Sequence, residues 1–200
     1  LEIVLSLQEQ FKNSGYSVSC FANSDLGLFL RLHSLQHIPE DKSKKESEKI
    51  IAINQLVRSV IRTERPDLLI IESPDAVLKY DDVTPNGFGI LTHMVIQALE
   101  PSLFVCSMPV DLCATDLIDR FSRGFMSQYG FPILAAHMSN LLIDSASALQ
   151  ERRISYVHTD MNLVKQKLQT CEHTGNIPVY DIISAGCVRL YQKILSEVTH

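Results

Sequence analysis

The chain has 200 residues, 46% of them hydrophobic and 20% charged, with a formal net charge of −5. This composition suits a single globular domain, residues 1–200, with a sizeable core, and its acidic balance argues against a broad nucleic-acid-binding surface. No apolar run approaches the about 20 residues that cross a bilayer, and Leu1 to Phe11 lacks the basic start and unbroken apolar core of a signal peptide, so a cytoplasmic protein is expected.

In chain order, Leu1, Val4, Leu5, Leu7 and Phe11 recur at helical spacing and Asn13-Ser14-Gly15 supplies a stop. Tyr16 to Ala22 reads as a strand and Asp25 to Leu32 as a short amphipathic turn or helix. His37 to Ser47, with Pro39-Glu40-Asp41 and three lysines, is a charged loop and the best candidate for a mobile segment. Ser43 to Ser47 offers caps for a helix whose stripe is Ile50, Ile51, Ile53, Leu56, Val57, Val60 and Ile61. Pro66 forces an extended entry into the strand Leu68 to Glu72.

A helix is expected from Phe88 to Leu99, a strand from Ser102 to Ser107 and a helix from Asp116 to Gln128. Phe131 to Met138 follows as a strand, Asn140 to Gln150 as a helix and Ile154 to His158 as a short strand. Thr159-Asp160 caps a helix from Met161 to Gln169, and the chain closes with a strand at Ile177 to Ile182 and a helix at Ser184 to Val198. The runs Leu68 to Ile71 and Leu103 to Cys106 do not alternate, so helices should cover both faces of these strands. Strands alternating with helices of crossover length predict a doubly wound, mostly parallel α/β sheet holding all six strands. In such sheets ligands collect beyond the carboxyl ends of the strands, which directs attention to Glu72-Ser73-Pro74-Asp75 and to Ser107 to Asp111.

Three stretches carry a family resemblance: Leu1 to Phe11 leading into Gly15-Tyr16-Ser17-Val18-Ser19; Ser47-Glu48-Lys49-Ile50-Ile51; and Arg65 to Ile71 with Asn86-Gly87-Phe88-Gly89-Ile90-Leu91. Together they resemble the C-terminal domain of the bacterial peptide-maturation system proteins, which are associated with radical-SAM enzymes acting on ribosomally made peptides. The resemblance extends to about Asp111 and, more weakly, through Ile154-Ser155-Tyr156 to Leu168. It implies a P-loop-NTPase-like domain of the dethiobiotin-synthetase kind in which Leu1 falls just after the phosphate-loop position, so that the first strand and that loop are missing and the chain is part of a longer one. It also implies an accessory or binding role, with a precursor peptide or a partner maturation enzyme as partner and no cofactor of its own. The alternative is a nucleotide-dependent enzyme whose phosphate loop lies upstream of Leu1.

Individual residues have a functional and a plain reading. Glu72 ends an apolar strand where a P-loop NTPase places an acidic residue near magnesium, yet strand ends are commonly polar, and no G-x-x-x-x-G-K-[ST] occurs in the chain. Gly87 and Gly89 open a helix whose backbone N–H groups can receive a phosphate, but Thr92 takes the place of a third glycine, and a turn before a helix is the plainer reading. Asp81, Asp82 and Thr84 would join them if the loop from Pro74 to Gly87 were a lid. Asp111 can accept from a nucleotide base or simply cap a loop. His137 and His158 fall near strand ends and can approach one sheet edge, where Cys20 or Cys106 beside a histidine would form a nucleophile pair. The remaining histidines lack metal-ligand spacing, so no metal site is expected. Lys44, Lys45 and Lys49 read as a solvated face rather than a binding patch. Cys20, Cys106, Cys113, Cys171 and Cys187 show no paired spacing and read as reduced core residues.

Overall fold

The computed structural model describes residues 1–77, 86–151, 154–171, 175–182 and 186–198. The chain divides into two compact units, Leu1–Glu100 and Pro101–His200.

The first unit runs α1 (Glu2–Asn13), β1 (Val18–Ala22), α2 (Asp25–Phe29), β2 (His33–Ser34), α3 (Glu46–Glu64), β3 (Leu68–Ile71), a 3₁₀ turn over Asn86–Gly89 and α4 (Ile90–Leu99). Its sheet has the order β2-β1-β3, with both pairings parallel. Val18, Cys20 and Ala22 of β1, together with Ile70 of β3, pack with Val4 and Leu5 of α1. Phe21, Leu69 and Ile71 point the other way, into Ile53, Val57 and Val60 of α3 and Met94, Val95 and Ala98 of α4. Period-2 alternation thus delivers apolar side chains to both faces, which is why neither strand shows a polar face in sequence. The α3 helix opens at Lys45, whose N–H donates to Glu48 at 2.8 Å, as in one half of a capping box. Ser43 is instead engaged by Asp41.

The second unit runs β4 (Phe104–Pro109), α5 (Thr115–Tyr129), β5 (Ile133–Ser139), β6 (Leu141–Ile143), α6 (Ser145–Glu151), β7 (Tyr156–His158), α7 (Met161–Cys171), β8 (Val179–Tyr180) and α8 (Gly186–Val198). β4, β5 and β8 form a parallel sheet in that order, and α5, α7 and α8 pack on it. Phe125 of α5 is the centre of an aromatic cluster, its ring 4.6 Å from Phe104 and 5.2 Å from Phe131.

The architecture is α/β, with parallel sheets flanked by helices, but the expectation of one continuous six-stranded sheet is corrected. Among the described residues the ladders form two parallel three-stranded sheets and one antiparallel ribbon, β6-β7. Unalternating apolar strands report that both faces are covered; they do not report which strands are neighbours. The expected strand at Ile154 to His158 is β7 of the exposed ribbon, and the expected helix at Asn140 to Gln150 is divided into β6 and α6. No described helix is long and apolar enough to cross a membrane.

Candidate functional site

Glu72 is the first residue beyond β3, and its N–H extends the ladder by donating to Phe21 O at 2.9 Å. Its carboxylate is tied to the neighbouring strand: Oε2 accepts the N–H of Asn23 at 2.9 Å, one residue beyond β1. The Asn23 side chain then donates to Pro74 O at 2.8 Å. The carboxyl ends of β1 and β3 therefore share a carboxylate supplied by the chain itself, at the edge where such folds collect ligands. Beside it, Asn23 Oδ1 and Ser24 Oγ are buried with no hydrogen-bond partner among the described residues.

The turn after Glu72 is tied to α4. Thr92, fully buried, shares a 2.5 Å hydrogen bond with Ser73 Oγ and lies 2.7 Å from the carbonyl of Asp75. Gly89 has φ +72, and a Cβ placed there would meet Val77 O at 2.1 Å, so the glycine is set by left-handed backbone and close approach together. Gly87 sits in the same 3₁₀ turn. The lid candidates Asp81, Asp82 and Thr84 lie outside the described residues, as does His173.

In the second unit, Asp111 accepts the N–H of Ile143 at 3.3 Å while Val110 N–H donates to Leu141 O at 2.9 Å, so this aspartate helps to hold β6. His137 and His158 stand in different sheets, His158 opposite Leu141 in the ribbon. His137 is met by a serine rather than a cysteine. Its Nδ1 lies 2.9 Å from Ser107 Oγ on the neighbouring strand, a pairing between residues 30 apart that local sequence pattern does not reveal. Burial pushes the His137 pKa down to about 4, against the opposing charge of Asp181. Lys44 is paired with Asp41 at 2.6 Å, and Lys49 is largely buried, so the two do not form an exposed basic patch.

Two solved structures share this arrangement of elements. The first is the crystal structure of a DUF1611 family protein from Anabaena variabilis, with a TM-score of 0.66 and 14% identity over 97% of this chain. The chain spans 53% of that protein, about half its length. The second is a GTPase from Pyrococcus abyssi in its apo form, with a TM-score of 0.50 and 11% identity, covering 98% of this chain and 91% of that one. At these identities the likeness establishes the fold alone, an α/β architecture of parallel sheets flanked by helices. No family model matches the chain, and no curated protein matches it.

Proposed function

We propose that the chain is an accessory binding domain on a P-loop-like scaffold, serving the maturation of a ribosomally made peptide, with the precursor peptide or a maturation enzyme as its partner. The observation that carries this reading is the engagement of Glu72 at the end of β3: its Oε2 accepts the N–H of Asn23 just beyond β1, so the carboxylate is tied into the strand ends. A carboxylate spent on joining the ends of β1 and β3 is a clamp, and its negative charge opposes a phosphate there. The peptide-maturation context rests on the resemblance carried by Leu1 to Phe11 with Gly15 to Ser19, by Ser47 to Ile51, and by Arg65 to Ile71 with Asn86 to Leu91.

Calorimetric titration of the purified protein with ATP and with GTP, each with magnesium, is expected to give no binding in the micromolar range. Micromolar binding that Glu72→Ala abolishes would overturn this reading. A fluorescent precursor peptide encoded beside a radical-SAM enzyme supplies the complementary arm: saturable anisotropy supports the peptide role, and its absence removes it.

One observation favours a second reading, that of a nucleotide-dependent enzyme. Asn23 Oδ1 and Ser24 Oγ are buried and unpartnered next to the carboxylate, as polar groups awaiting a ligand would be. In that case Glu72, Gly87 and Gly89 line the phosphate end, and the same titration decides between the two.

A further inference from the structure

We propose that Ser107 is a nucleophilic serine with His137 as its general base, giving the second unit an acyl-transfer site for carboxylic esters. This is independent of whether the first unit binds nucleotide or peptide. The three strands of the β4-β5-β8 sheet bring the parts together. Ser107 stands directly opposite His137, and His137 stands opposite Tyr180, the residue before Asp181. All three fall toward the carboxyl ends of parallel strands, where α/β sheets present reactive groups.

The environments of the two partners differ in the way this chemistry needs. Ser107 is exposed, so an ester carbonyl can reach its oxygen, whereas His137 is only 4% exposed and presents Nδ1 to that serine. A buried imidazole is neutral at pH 7, and in the tautomer with hydrogen on Nε2 its Nδ1 accepts the Ser107 hydroxyl across the 2.9 Å contact. Asp181, 3% exposed at the end of β8, is the negative charge that favours the imidazolium once the proton arrives. Gly186, at the opening of α8, lies close against the Asp181 backbone, where an added Cβ would overlap Asp181 O.

The step balances without an added reagent. Ser107 Oγ bonds to the carbonyl carbon as its proton passes to His137 Nδ1. The carbon–oxygen bond to the leaving alcohol then breaks, and the alcohol departs with that proton. Water repeats the sequence on the acyl-serine, releasing the acid and restoring the hydroxyl.

A fluorophosphonate probe tests the proposal on the intact protein, read by whole-protein mass and peptide mapping. One adduct per chain on Ser107 is expected, none in Ser107→Ala, and labelling slowed at least about 100-fold in His137→Gln. Asp181→Asn is expected to slow labelling while the adduct stays on Ser107. Because His137 is buried and its replacement bears on folding, wild-type protein in urea supplies a further arm, in which labelling should vanish with the sheet. No adduct on native protein, an adduct elsewhere, persistent Ser107 labelling in urea, or a folded His137→Gln variant that labels at the wild-type rate would each overturn it.

Discussion

Glu64, at the last turn of α3, holds two polar partners at once. Ser19 Oγ donates to Oε2 at 2.5 Å, and His33 Nε2 lies 2.8 Å from Oε1. The Ser19 hydrogen bond is the main reason its carboxyl titrates below the ordinary glutamate value, with the His33 charge adding to it. A depressed folded value means that the unfolded chain binds the proton more readily, so the associated stability is present above about pH 4.3 and is lost as pH falls through the folded value. The side chain is 42% exposed, and solvent screening keeps the effect below about 1 kcal/mol. Urea midpoints measured from pH 7 down to pH 3 should therefore fall more steeply in the wild type than in Glu64→Gln. Parallel acid limbs would remove Glu64 from the account.

Among the elements, the joint between α4 and the turn after β3 depends on one backbone position. Gly89→Ala introduces both a positive-φ penalty of about 1–2 kcal/mol and a Cβ directed at Val77 O, so its loss in urea stability should exceed the penalty alone. A variant with wild-type stability would show that the turn moves aside at little cost. Sequence pattern identified Asn86 to Gly89 as a turn, and it located α3, β3 and α5 well, because each has an unbroken apolar stripe or run. It failed at Asn140 to Gln150, since Leu141-Leu142-Ile143 suits a strand as readily as a helix. Asp144 decides that case: it accepts the N–H groups of Ala146 and Ser147 at 3.2 Å, starting α6 there and leaving the apolar triplet to pair with β7. The grip on Glu72 was half legible. Its place at a strand end follows from the apolar run, but its partner Asn23 lies 49 residues away.

Across the whole molecule, the five cysteines are all buried, and none is held in a disulfide. Burial raises the thiols of Cys106 and Cys113 to about 12 and that of Cys20 to about 11, which suppresses the reactive thiolate. Thiol titration without reductant should count five in denaturant and react far more slowly in native buffer. A count below five would reveal a disulfide, and fast native reaction would contradict the packing. The parallel ladders carry a different consequence, one of timing. Val18 pairs with Leu68, Val105 with Ala135 and Ala136 with Val179, so every parallel strand pair joins residues separated by a helix, and only β1-β2 is bridged by one as short as α2. Such contacts form only after a long loop has closed, which slows folding. On the ribosome β1 must therefore wait, apolar on both sides and without its main partner, until the whole of α3 and then β3 have been synthesised, and that interval is when the nascent first unit is most exposed to aggregation and most in need of a chaperone.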